Sequence, residues 1–295
     1  MPYITIKLRA SKTNMFQTLG ILAPAPVMPA ILFVRALDGA LRNTLDVQGV
    51  GLIHHDAIPW MEYLEEKSKK SGKNKKNPWL KTHVVHRRGA YLISEKEKPG
   101  AVPQQPMALA DIEWSLLIAC RRDPPSPYEI EAVLRDMRFA GGTIDPRHIS
   151  VQVHDSDDAW DSARQSIRGG RWIEDVSDLM AMAPDPIQAI LFPPKDQGWI
   201  VPVNLGYALL EAPQTRNGVR QGPGRESLLH AFAENMIGYV RYVSWSRIRD
   251  TLTPRALWRY GWDDDQFLVT NRPTVSLSPR RGPARIVSTT VSSTL

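Results

Sequence analysis

The sequence predicts an α+β fold with a ferredoxin-like (RRM-like) β-α-β-β-α-β core, and three observations lead there. Four segments read as strands, two read as amphipathic helices, and their order along the chain is that of the motif. The first strand is Tyr3-Ile4-Thr5-Ile6-Lys7-Leu8-Arg9, where β-branched residues alternate with polar ones. A loop through Pro24 and Pro26 leads to Pro29, tolerated in a first helical turn, and Ile31, Leu32, Phe33, Leu37 and Leu41 follow at helical spacing. A second strand is expected over residues 46–54, where Gly49 and Gly51 suggest a bulge or a close backbone approach. After a long insertion, the apolar run Ile112, Trp114, Leu116, Leu117, Ile118 reads as a buried central strand ending at Cys120. Pro127 opens a second helix carrying Ile130, Val133, Leu134 and Met137, with Gly141-Gly142 as its left-handed stop, and residues 148–153 alternate as the fourth strand.

Beyond the core the pattern predicts a short helix over residues 158–167, a strand over 199–210 and a long helix over 226–245. That helix would turn Leu228, Leu229, Phe232, Met236 and Val240 inward. The expected organisation is a ferredoxin-like domain over 1–155 with a basic insertion at 56–109, a C-terminal α/β lobe over 156–271, and a basic tail over 272–295. Because Thr82 to Ile93 reads as a strand, the insertion is expected to sit on a β-hairpin projecting from the core.

Composition narrows the function. With 42% hydrophobic and 23% charged residues the chain is expected to be globular, and its 295 residues suffice for a sizeable core. The single cysteine, Cys120, excludes an internal disulfide framework and a cysteine-ligated zinc site, and fits a cytoplasmic protein. The first residues lack the pattern of a signal peptide, and no stretch approaches the ~18 apolar residues of a membrane span, so no membrane association is expected. The net charge of +6 is unevenly spread. Residues 67–94 hold nine Lys or Arg and residues 266–295 hold four Arg, with no acid in either, which leaves the remainder at −7. Positive charge gathered in this way is the footprint of a polyanion binder, because each phosphate contacted releases condensed counterions.

The candidate RNA contacts follow from that distribution. Lys73, Lys75 and Lys76 lie in the densest run, Trp79 offers a ring for base stacking, and His83, His86, Arg87 and Arg88 continue the basic face. Arg216, Arg220 and Arg225 share an acid-free loop. The histidines raise a second possibility, since a His can be the general base of a metal-independent ribonuclease. His54 and His55 are adjacent on a strand and point to opposite faces, and no metal-ligand or paired-acid spacing accompanies them or His83 and His86. Asp263-Asp264-Asp265 reads as a solvated turn. No catalytic residue and no metal site is expected.

Five segments carry a resemblance: Pro29 to Leu37 with Gly49-Val50-Gly51 through His54; Glu113-Trp114-Ser115-Leu116; Met137 through Gly141-Gly142-Thr143-Ile144; Gly198-Trp199-Ile200-Val201-Pro202 to Gly206-Tyr207; and Leu257-Trp258-Arg259-Tyr260. In order and spacing, over roughly residues 20–262, they resemble the Csy-two, or Cas-five-type, subunits of type I-F CRISPR surveillance complexes. The resemblance implies a ferredoxin-like RAMP fold with an inserted thumb, no nuclease activity, no cofactor, and binding of the five-prime handle of the crRNA. It implies as partners a large Cas-eight-type subunit, a Cas-seven-type backbone subunit and target DNA within the complex. It adds Arg259 to the candidate RNA contacts. A guide-processing endoribonuclease and a protein-only scaffold are the alternatives.

Overall fold

The computed structural model describes residues 1–18, 21–64, 79–82, 84–88, 104–215, 229–273 and 275–278, with the backbone alone at 61–64, 79–82, 84–88, 104–107, 215 and 229–230. Twelve strands form one sheet. They are β1 (Tyr3–Asn14), β2 (Val47–Pro59), β3 (Val84–Arg88), β4 (Gln104–Cys120), β5 (Arg138–Phe139), β6 (Gly142–Ile144), β7 (Ser150–His154), β8 (Arg171–Asp175), β9 (Trp199–Leu209), β10 (Ala233–Ser244), β11 (Arg259–Asp263) and β12 (Gln266–Thr270). Their order is β11-β12-β9-β10-β8-β2-β4-β1-β6-β5, with β7 also on β1 and β3 on β4. The pairings are antiparallel throughout. The helices are α1 (Val27–Ala40), α2 (Pro127–Asp136), α3 (Ala159–Ser166), α4 (Pro186–Leu191) and α5 (Trp245–Ile248).

This architecture corrects the expected ferredoxin-like α+β core. A separate four-stranded core needs β2 at its edge, but the outer edge of β2 pairs with β8 through Arg171↔His54 and Trp172↔Ile53. The sheet therefore runs on from β2 through β8 into β10, β9, β12 and β11. The molecule is mostly antiparallel sheet, and strands from either side of residue 155 share it. The helix expected over 226–245 is also corrected, because its described part is largely strand β10. Ile237, Tyr239, Val240, Tyr242 and Val243 are residue types that suit a pleated surface, and β10 lies between β8 and β9, so residues facing either way are covered.

Two layers flank the sheet. On one side α1 and α2 set Ile31, Phe33, Val34, Leu37, Ile130 and Leu134 against Ile4, Ile6, Leu8, Leu52, Leu116 and Ile118. On the other, α3 and α5 cover Tyr3, Ile53, Leu117, Ala119 and Trp172 with Ala159, Ala163 and Trp245. A side chain at Gly51 would meet the Trp172 ring, since an added Cβ would lie 2.7 Å from it. Helix α2 begins with a capping box: Ser126 Oγ accepts from the Glu129 N–H, and the Glu129 carboxylate accepts from the Ser126 N–H. The helix ends at Asp136, and Ala140 (φ 48°) with Gly141 (φ 78°) makes the turn joining β5 to β6 instead of the expected helix stop.

Candidate functional site

Strand alternation builds a polar cleft on the side of the sheet that α3 covers only in part. On β1, Ile4, Ile6 and Leu8 enter the core while Thr5 and Lys7 turn to the opposite face. Pairing places Ser115 and Ser150 on either side of Lys7, and Gln152 beside Thr5. Helix α3 buries Ala159 and Ala163 over the apolar part of this face and stops at Ser166, whose hydroxyl donates to Thr5 Oγ1 at 3.1 Å. Past the helix end remains a cleft of about 190 Å³ lined by Thr5, Ile6, Lys7, His55, Ser115, Ser150, Gln152, Ser166, Ile167 and Arg168.

The charges in the cleft are organised. Lys7 Nζ lies 2.7 Å from Glu113, which holds that carboxyl below its usual range. Both side chains are partly exposed, so the pair adds little stability. Arg168 is exposed and has no ion-pair partner among the described residues. His55 Nε2 is 2.7 Å from Ser115 Oγ, and burial, followed by the nearby Lys7 ammonium, lowers its pKa. The cleft thus offers hydroxyl and amide groups, an imidazole, a lysine engaged by Glu113 and one unpaired guanidinium, all groups that can hydrogen-bond a polar ligand.

Behind the same pair of histidines, on the opposite face, His54 is 5% exposed. Its ring meets Trp114, Trp199 and Tyr242 edge to face, at 5.8, 6.5 and 5.3 Å between centroids. Burial pushes its pKa down to about 4. His54 and His55 do point apart, as alternation predicts. Among the described residues no cluster of His, Cys, Asp and Glu could hold a metal ion.

The residues expected from sequence are distributed differently. Lys73, Lys75, Lys76, His83, Arg216, Arg220 and Arg225 lie outside the described residues. Trp79 is on a short strand paired with residues 61–64, and His86, Arg87 and Arg88 are on β3, opposite Pro106, Gln105 and Gln104 of β4. Arg259 is on β11, where its guanidinium donates to the carbonyls of Arg272 and Val275 at 3.1 and 3.4 Å, a tie to the chain that follows β12. The residues that line the cleft were missed apart from His55. The alternation Thr5, Lys7, Arg9 was the available signal, but the partners of Lys7 come from β4 and β7, far off in sequence.

No protein-family profile matches the chain, and no curated protein matches it.

Proposed function

We propose that the chain is a non-catalytic RNA-binding subunit of a CRISPR surveillance complex of the type I-F kind, holding the five-prime handle of the crRNA in the cytoplasm. The observation that carries this reading is the segregation of charge: thirteen cationic residues in two acid-free segments on a chain otherwise at −7. The polar cleft with Lys7 and Arg168 supports it, and so does the ordered resemblance from Pro29 to Tyr260. In this reading the chain caps the filament of Cas-seven-type subunits and meets a large Cas-eight-type subunit during target DNA recognition. The test is to purify the tagged full chain from cells expressing the array and neighbouring subunits, and to sequence the bound RNA. Enrichment of RNAs sharing one five-prime sequence is expected. Recovery of the chain and those subunits without RNA overturns the proposal.

One arrangement favours a second reading, a metal-independent guide-processing endoribonuclease: His55 lies in the cleft with Nε2 2.7 Å from Ser115 Oγ, and burial lowers its pKa. Repeat RNA incubated with the chain and a chelator distinguishes them. Intact RNA is expected, and cleavage abolished by His55→Ala would establish the enzyme.

A further inference from the structure

Strand β8 is entered through Arg168-Gly169-Gly170-Arg171, and this turn joins the two faces of the sheet. Arg168 lines the cleft. Arg171, paired with His54, belongs to the opposite face, as alternation from Trp172 and Ile53 requires. Gly169 (φ +70°) and Gly170 (φ +81°) adopt left-handed conformations, and a Cβ on Gly170 would lie 2.9 Å from the His54 carbonyl oxygen and from His55 Nδ1. The chain therefore passes close against the histidine pair and leaves Arg168 and Arg171 exposed, with no ion-pair partner among the described residues.

Beside Arg171 stands Trp199, 44% exposed although it is among the largest apolar side chains. Tyr242 stacks on it at 4.2 Å between centroids and 16° between planes, and the Arg171 guanidinium lies 5.0 Å from the indole centroid. Beneath them Tyr242, His54 and Trp114 are buried. The indole plane is thus held by packing while much of its surface stays in water. A ring fixed in this way loses little rotamer freedom when a base stacks on it, and the adjacent arginine supplies a phosphate contact.

We propose that Trp199, backed by Tyr242 and flanked by the Arg168-to-Arg171 turn, is a base-stacking platform for single-stranded RNA. The backbone of the strand passes between Arg171 and Arg168 around this end of the sheet. A base takes the place of the guanidinium on the indole, and Arg171 turns its donors to the neighbouring phosphate. The inference rests on the RNA-binding reading above and adds to it a site on the face opposite the cleft.

The experiment measures binding of a short bromouridine-substituted single-stranded RNA by the full chain and by three variants, with thermal melts beside each titration. Trp199→Ala is expected to weaken binding roughly tenfold with little change in salt dependence, and Trp199→Phe to retain affinity within about threefold. Arg171→Gln, at an exposed position, is expected to weaken binding and to flatten the plot of log affinity against log salt by about 0.7. Ultraviolet crosslinking of the wild-type chain is expected to join bromouridine to Trp199, a result that does not depend on any variant folding. Wild-type binding with no crosslink at Trp199 and no loss in Arg171→Gln overturns the platform alone. A wild-type chain that binds no RNA overturns the RNA-binding reading and the platform with it.

Discussion

His54 is held where a charge cannot be solvated. It is packed among Trp114, Trp199 and Tyr242, and Asp56, His55 and Arg171 are the ionisable groups close enough to influence it. In the unfolded chain an ordinary histidine takes up its proton near pH 6.5, whereas folded His54 does so only at about 4. The unfolded state therefore binds more protons through that window, and stability falls as pH drops from about 6.5 to 4, by up to about 3 kcal/mol from this residue. His54→Phe keeps a ring in place and removes the proton site. Urea titrations between pH 4.5 and 7.5 are expected to show a shallower loss in the variant, with His55 and His154, both also lowered by burial, supplying part of the remaining slope. Equal slopes in the two proteins would contradict this account. At this scale the opposed directions of the histidine pair were legible, because alternation is a local property. The company each keeps was not, because Trp199 and Tyr242 reach His54 from strands nearly 150 and 190 residues later.

At the scale of elements, Asp175 ties the end of β8 to β12. Its carboxylate accepts from the Ser177 N–H and hydroxyl at 3.0 and 2.6 Å, from the Thr270 hydroxyl, and from Arg272 Nε at 3.2 Å. Asp175→Ala leaves these donors unpaired next to a buried site, so a loss of about 3 kcal/mol is expected in chemical denaturation. An unchanged midpoint would show that the strands are joined without it. The basic insertion is the other element with a sharp expectation. Replacing Lys73, Lys75 and Lys76 together by Ala should flatten the salt slope of RNA binding by about 2, at about 0.7 per phosphate contact, and leave the melting temperature nearly unchanged. Trp79→Ala should cost about 1–3 kcal/mol of RNA affinity with the salt slope unaltered, if a base stacks there. A triple variant with wild-type slope and affinity removes the insertion from the RNA site. Strands β7 and β9 and helices α1, α2 and α3 were legible within a few residues in their apolar patterns, whereas β1 and β2 each run about five residues past their expected ends at Arg9 and His54 and β4 begins earlier than expected. Strand β10 was not, because Met236 and Val240 are four residues apart and satisfy a helical reading equally well, and only pairing with β8 and β9 decides between them.

For the molecule as a whole, the continuity of the sheet is what the sequence concealed. Whether the edge of β2 is free or takes another strand depends on Arg171 and Trp172, more than a hundred residues later, and no local pattern records that. The segment from the 3-10 turn Ser177–Met182 to Phe192, the residue after α4, exposes Met182, Ile187, Leu191 and Phe192 to water. Among the described residues no helix is long and apolar enough to cross a membrane. An exposed apolar surface of this kind favours self-association, so the chain purified alone is expected to form concentration-dependent oligomers in light scattering, and to become monodisperse on co-expression with the Cas-eight-type partner proposed above. A monodisperse monomer, unchanged by co-expression, would contradict this. Whether the chain grips RNA through phosphates without cutting it is decided by one titration. Binding of single-stranded repeat RNA by the full wild-type chain is measured at several salt concentrations, and the RNA is recovered afterwards on a denaturing gel. Affinity is expected to fall steeply with salt, with a slope of at least about 2 in log–log form, and the RNA to be recovered intact. Absent or salt-independent binding, or RNA cut during the titration, would contradict it.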